Sequence, residues 1–267
     1  MSNALRPTVN CSLLFTELPL HARPAAARAA GFEAVEFWWP FAAPVPGDAE
    51  AEAFIAAIDD AGVRLTGLNF FAGELPGPDR GVLSHPDRVG EFRDNIDAVA
   101  GIARRTGCTG FNALYGRRRD GTDPAEQDRV ALENTIAAAR ALAPLGGTVL
   151  IEPISGADDY PLKTAADALA FVERARAAGA PNVALLADLY HLAVNGEDVA
   201  AVVRDHAAEF GHIQIADAPG RGEPGTGSLP VHALLAAARD GGYTGRVGLE
   251  YAPTVPSADS FGWLKTG

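Results

Sequence analysis

Residues 148–188, TVLIEPISGADDYPLKTAADALAFVERARAAGAPNVALLAD, decide the fold. The segment opens on a β-rich run, Thr148-Val149-Leu150-Ile151-Glu152, and closes on another, Val183-Ala184-Leu185-Leu186-Ala187-Asp188. Between them, Thr164 to Ala178 has helical periodicity. Strand, helix and strand in that order form a parallel βαβ unit. Both strands end an apolar run with a carboxylate.

The unit recurs on either side. Val9 to Phe15, Ala34 to Trp38, Val63 to Phe70 and Thr109 to Leu114 read as the first four strands. His212 to Ala216 and Arg246 to Glu250 read as the seventh and eighth. Helices fall between them: Ala25 to Ala30, stopped by Gly31; Asp48 to Asp60, with Phe54, Ile55 and Ile58 on one face; Pro86 to Arg105; a helix starting at Pro124; Asp198 to Phe210; and Val231 to Asp240. Eight strands alternating with helices at roughly 30 residues per unit give the arithmetic of a single (β/α)8 TIM barrel over residues 1–267. A doubly wound sheet would carry a glycine fingerprint after its first strand, where this chain has Leu14-Phe15-Thr16-Glu17-Leu18-Pro19. The GxGxxG match at Gly220–Gly225 comes late and contains Pro224, so it is rejected as a dinucleotide site.

Lys+Arg number 22 and Asp+Glu 34, a formal charge of -12. That balance opposes duplex nucleic acid, which needs a cationic face, and anionic membrane surfaces. It leaves room for a small anionic substrate in a local pocket. Cys11 and Cys108 are too few for a disulfide framework or a Cys-rich zinc site, and both read as small buried hydrophobes. No run is long and apolar enough for a membrane span. Met1–Pro7 lacks the apolar stretch of a secretion signal, so Asn10-Cys11-Ser12 is an accidental glycosylation match and the expectation is a cytoplasmic protein. A homo-oligomer is compatible with the sequence.

Two loops stand out. Phe71 to Ser84, rich in Gly and Pro, reads equally as a functional lid or a solvated surface loop. Tyr115 to Asp123 holds Arg117, Arg118 and Arg119, a basic turn from which one arginine could reach an anionic substrate.

Chemistry in such a barrel sits at the C-terminal ends of its strands. There the fifth strand offers Glu152, the sixth Asp188, the eighth Glu250, and the seventh Gln214 within an apolar run. Three carboxylates converging on one mouth repel, and each is costly to bury without a partner. A divalent cation resolves the conflict. Three carboxylates and an amide oxygen form a hard donor set suited to Mg2+ or Mn2+, whereas zinc favours the His and Cys ligands this cage lacks. His191, three residues after Asp188, can return over the pocket; His21, His85, His206, His212 and His232 read as structural. Glu36, followed by Trp38 and Trp39, either faces the pocket or pairs with an arginine, and Asn69 is undecided.

Several ordered stretches resemble the hydroxypyruvate isomerase family of xylose-isomerase-like barrels. They are Asn10-Cys11-Ser12-Leu13-Leu14-Phe15-Thr16-Glu17, Ala29 to Phe37, Leu150-Ile151-Glu152-Pro153-Ile154, Asp188-Leu189-Tyr190-His191, His212 to Arg221, Gly248-Leu249-Glu250-Tyr251 and Gly262-Trp263-Leu264. The resemblance covers nearly the whole chain. It implies one divalent metal held by Glu152, Asp188, Gln214 and Glu250, with Glu152 and Glu250 also the acid/base pair and His191 and Arg221 contacting substrate. Three departures stand near the mouth: Gly222 where the family usually has His, Ser228-Leu229-Pro230 where it has Glu-Ile-Asn, and Ala252 where it has a basic residue.

The expected activity is aldose–ketose isomerisation of a small sugar or hydroxy-keto acid, such as hydroxypyruvate and tartronate semialdehyde, by proton transfer through an enediolate. A ketose 3-epimerase, a 2-oxo-tetronate isomerase and an inosose-type dehydratase would share the cage. Outside catalysis stands a barrel that binds a sugar acid without turning it over. A DNA-repair nuclease would need a histidine-rich multi-zinc site and a basic face, and the sequence has neither.

Overall fold

A computed structural model of the chain describes residues 6–75 and 77–265. The reading of Met1–Leu5 as free of a leader lies outside the described residues. The strands are β1 (Pro7–Asn10), β2 (Ala34–Phe37), β3 (Arg64–Asn69), β4 (Gly110–Asn112), β5 (Thr148–Ile151), β6 (Val183–Asp188), β7 (Phe210–Ile215) and β8 (Val247–Leu249). They pair in parallel and in sequence order, and β8 returns to β1 to close the barrel. The helices are α1 (Arg23–Ala29), α2 (Asp48–Ala61), α3 (Val89–Thr106), α4 (Pro124–Leu142), α5 (Ala165–Ala177), α6 (Leu189–Val194), α7 (Val199–His206) and α8 (Val231–Asp240). This is the (β/α)8 architecture that the sequence implies. Among the described residues, no helix is long and apolar enough to cross a membrane.

Local chemistry sets the helix starts. The Asp123 side chain caps α4 at Ala125 N, and Pro124 fits the first turn, where no N–H is needed. Thr164 and Asp167 close a reciprocal capping box on α5. Asp198 caps α7 at Ala201 N. Cys11 and Cys108 are buried as expected, and burial pushes the Cys108 thiol up to about 12, so neither acts as a thiolate.

Alternation along the strands sorts the molecule into two compartments. On β5, Val149 and Ile151 join the large apolar core beneath the helices, while Leu150 points into the barrel. There it meets only Ala184 and Leu186 of β6 as a small apolar cluster. Around it the barrel interior carries the polar side chains of Glu36, Asn112, His212 and Gln214. Gly67 and Gly248 leave room for the Glu36 side chain: a Cβ at Gly248 would lie 2.5 Å from Glu36 Oε1. Residues with the parity of Leu150 therefore place a small apolar patch inside the barrel and the carboxylates above it at the mouth.

The first strand is shorter than expected. After Asn10 the chain turns, with Leu13 N and Leu14 N both donating to Asn10 O and the Asn10 side chain accepting from Ser12 N. The short helix α6 is absent from the sequence reading. It starts because Asp188 Oδ1 accepts from Tyr190 N at 2.9 Å and from His191 N at 3.3 Å.

Candidate active site

Glu152 follows β5, Asp188 ends β6, Gln214 lies in β7 and Glu250 follows β8. All four have interior parity, and none is more than 4% exposed. The α6 turn carries His191 back over them. Its Nε2 lies 3.6 Å from Asp188 Oδ2 and 3.9 Å from Glu152 Oε1. Ser155 N donates to Nδ1 at 3.1 Å, so the single proton of a neutral ring sits on Nε2, facing the carboxylates. The ring is neutral because burial pushes its pKa down to about 4; Arg221 and Arg80 add to that effect against the pull of Asp188.

The two glutamates sit in different surroundings. Burial, reinforced by Asp188, raises the Glu152 pKa above the ordinary carboxylate range, although Asn112 Nδ2 donates to Oε2 at 2.6 Å. Burial also raises that of Glu250, opposed by Arg221. Glu250 Oε1 accepts from Arg221 Nη2 at 2.7 Å and from Trp38 Nε1 at 3.4 Å; Oε2 accepts from Asn10 Nδ2 at 2.8 Å. Arg221 has a left-handed backbone, φ 61, lies 5.3 Å over the Tyr190 ring, and brings Nη2 to 3.8 Å from Asp188 Oδ2.

The donor set suits a hard divalent cation. Asp188 Oδ2 and Gln214 Oε1 are buried oxygens with no hydrogen-bond partner among the described residues. Gln214 is oriented by its own amide, whose Nε2 donates to Glu36 Oε1 at 2.8 Å and so turns Oε1 away from Glu36. Ligand atoms of Glu152, Asp188 and His191 lie within 4.8 Å of one another. His191 is an addition to the four residues singled out in the sequence, and its Nε2 proton makes it a donor toward this cluster. Glu250 stands outside the tightest group, across Arg221.

Sequence reasoning missed the layer beneath. Glu36 meets neither expectation in full: it is buried inside the barrel, but its partners are His212 Nε2 at 2.8 Å, Gln214 and Asn10, with no arginine among the described residues. His212, read as structural, thus supports the site. Asn10 and Asn112 hold Glu250 and Glu152 in place; both end strands, and that position was their signal. Asn69 lines the cavity, as does Trp38, whereas Trp39 Nε1 is bonded to Ala43 O.

The basic turn at Arg117–Arg119 does not reach the pocket. Arg117 pairs with Asp159, Arg118 with Asp128 and Arg119 with Asp87. The arginine that does line the cavity beside Arg221 is Arg80, from the Phe71–Ser84 loop. The three departures from the family pattern stay out of the lining. Gly222 packs against Thr226, where a Cβ would meet Oγ1 at 2.5 Å. Ser228 N closes the loop on Ala218 O. Ala252 is exposed, and its N–H donates to Arg221 O.

The cavity at the mouth measures about 360 Å3 and is bounded by Ser12, Trp38, Asn69, Leu114 and Ile154 around the charged groups. That lies at the small end for ligand pockets, which span ~300–1,000 Å3. A family model described as xylose isomerase-like TIM barrel matches residues 24–267. A Streptomyces coelicolor protein provisionally named a hydroxypyruvate isomerase is 56% identical over 98% of this chain and 96% of its own. The Cupriavidus necator 2-oxo-tetronate isomerase is 34% identical over 97% of each chain, and the Escherichia coli hydroxypyruvate isomerase 31% identical over 97% of this chain and 98% of its own. Among solved structures, a Brucella melitensis protein described as AP endonuclease, family 2, superposes with a TM-score of 0.88 at 31% identity, covering 98% of both chains. The chain is an isomerase and belongs to the hydroxypyruvate isomerase family of xylose isomerase-like TIM barrels.

Proposed function

We propose that the protein interconverts hydroxypyruvate and tartronate semialdehyde, with Glu152 and Glu250 as the proton-transfer pair. The observation that carries this reading is the pair itself. Two buried glutamates bound one small cavity, and burial raises both pKa values, keeping their carboxylates basic enough to accept a carbon-bound proton. One glutamate removes a proton from the hydroxymethyl carbon, giving an enediolate. The other delivers a proton to the former carbonyl carbon, and the oxygens exchange roles by a proton shift between them. His191 Nε2–H and Arg221 donate to the substrate oxygens, where negative charge grows in the transition state. Trp38, Leu114 and Ile154 wall the cavity and limit water beside the enediolate.

Glu152, Asp188, Gln214 and Glu250 would hold the divalent cation, Mg2+ or Mn2+, and the partnerless oxygens of Asp188 and Gln214 support that assignment. When bound, the cation supplies Lewis-acid stabilisation of charge on the substrate oxygens.

The 2-oxo-tetronate isomerases among the relatives favour a second reading, the same chemistry on a four-carbon acid. The ketose 3-epimerases among the solved structures are at most 22% identical and support the fold alone. The nuclease description attached to the Brucella protein finds little support in this chain. Its net charge is -12, and the one candidate ion cluster among the described residues contains a single histidine.

Incubation with metal and hydroxypyruvate in deuterium oxide tests the proposal. The expected result is deuterium at the exchanged carbon and a fall of roughly 10²–10⁴-fold in kcat for Glu152→Gln and for Glu250→Gln. Wild-type turnover in either variant refutes the pair.

A further inference from the structure

Arg80 is the one guanidinium at the cavity that has no partner. Among the described residues its side chain makes no hydrogen bond and no ion pair, while every arginine of the 117–119 turn is held by a carboxylate and Arg221 is held by Glu250. Arg80 is half-buried and lines the cavity together with Glu152, His191, Arg221 and Glu250. Its Nη2 lies 4.0 Å from the position a Cβ on Gly156 would take, so the guanidinium reaches over the loop that follows Glu152.

The loop around Arg80 is firmly built. Arg80 has a left-handed backbone, φ 53, a conformation costly to a residue with a Cβ and found at sites that the surroundings over-determine. On one side, Asp79 Oδ2 accepts from Glu74 N at 3.0 Å and from Arg88 Nη1 at 2.8 Å. On the other, Gly81 N donates to Ala72 O at 3.0 Å, and Gly81 bridges Tyr115 so closely that a Cβ would collide with Leu114 O. The loop therefore holds Arg80 at the cavity although, among the described residues, no protein group pairs with its guanidinium.

Geometry identifies the missing partner. Arg221, the other arginine lining the cavity, is held by Glu250 at 2.7 Å, whereas the Arg80 guanidinium lines the same cavity with no carboxylate on it and calls for an anionic group on the ligand. A guanidinium presents two parallel N–H donors that fit a carboxylate, whereas a neutral ketose offers nothing of equal strength.

We propose that Arg80 is the specificity residue of this pocket: it binds the carboxylate of a small hydroxy-keto acid and selects such acids over neutral ketoses. The inference rests on the proposed acid substrate and adds the group that reads it. Arg80 takes no part in proton transfer, so its removal affects binding before chemistry.

The test uses Mn2+-loaded wild type, Arg80→Gln and Arg80→Lys. Binding of the unreactive acid hydroxymalonate is measured by calorimetry, and steady-state kinetics are run with hydroxypyruvate and with the neutral ketose dihydroxyacetone. The expected result for Arg80→Gln is hydroxymalonate affinity lower by about 10–100-fold, a matching rise in KM for hydroxypyruvate with kcat changed less than about threefold, and unchanged handling of dihydroxyacetone. Arg80→Lys recovers part of the loss. Equal hydroxymalonate affinity in wild type and Arg80→Gln, with hydroxypyruvate turned over by both, overturns the role of Arg80 and leaves the proposed activity standing. Equal losses toward acid and ketose also overturn it, since a merely structural loop residue behaves that way. A wild type that neither binds hydroxymalonate nor turns over hydroxypyruvate overturns the proposed activity and this inference together.

Discussion

Asp217 sits three residues beyond Gln214, 1% exposed, at the root of the loop that presents Arg221. Burial alone would raise its pKa, but the backbone N–H groups of Gly227, Leu229, Gly225 and Ala218 overcome that and hold it below the ordinary carboxylate value. The ionised side chain thereby gathers both ends of the loop, and Arg221 N closes it on Asp217 O at 3.0 Å. Because the folded-state pKa is depressed, Asp217 stabilises the fold fully above the unfolded carboxylate value, and the contribution is lost as pH falls through the folded value. Asp217→Asn should cost about 2 kcal/mol at pH 7, since an amide cannot accept all of these donors. Urea denaturation of wild type and variant should converge once the pH is well below 4, and a constant gap down to the acid limit would remove the electrostatic account. Residues of this kind were hard to read in the sequence. Glu152, Asp188 and Glu250 were legible because a carboxylate ending an apolar run demands an explanation. Asn10 and Asn112 end strands equally but carry no charge to explain. Arg80 was hidden because nothing local reveals where a long Gly/Pro-rich loop lays its side chains.

At the scale of elements, period and spacing revealed all eight strands, but their ends depended on contacts distant in sequence. The run after Asn10 has strand composition, yet it turns there because Asn10 supplies both a backbone and a side-chain acceptor for the residues that follow. The helix α6 is too short to show a period, and its start is set by the same Asp188 that belongs to the site. Strand β8 illustrates the opposite dependence, of the site on the strand. Gly248 gives Glu36 its space, and Glu36 in turn orients Gln214. Gly248→Ala would place a methyl group 2.5 Å from Glu36 Oε1 and 2.8 Å from Gln214 Cγ. Both side chains are buried and hydrogen-bonded, so relief requires breaking contacts, and overpacking of this kind costs about 1–3 kcal/mol. Gly90→Ala in the first turn of α3 is the control: its Cβ meets nothing within 4 Å, so it should be neutral or stabilising. Chemical denaturation of the two variants separates these outcomes, and a Gly248→Ala protein as stable as wild type would show that the barrel interior yields easily.

Across the whole molecule, the site opposes the fold that carries it. The outer core between strands and helices is apolar and closely packed, whereas the barrel interior carries the small separate cluster of Leu150, Ala184 and Leu186 beside Glu36, Asn112, His212 and Gln214 and gathers carboxylates at its mouth. Burial penalises the charged form of Glu152, and the neighbouring Asp188 adds to the penalty. A ligand that binds only the folded arrangement offsets such a penalty by mass action, stabilising by about 2.7 kcal/mol at a hundredfold excess over its Kd. For a chain of this length that corresponds to roughly 5–10 °C in Tm. Saturating Mn2+ or Mg2+ should therefore raise Tm by about that amount, and a chelator should reverse it. Asp188→Asn should keep the fold, because its remaining Oδ1 can still cap α6 toward Tyr190 N and His191 N. It should lose the ion-dependent gain, because Oδ2 is among the oxygens left free for a cation. A Tm shift of equal size in wild type and Asp188→Asn would place the stabilising ion somewhere other than this cage. The electrostatic reason for four oxygen-bearing side chains at one barrel mouth would then fall with it.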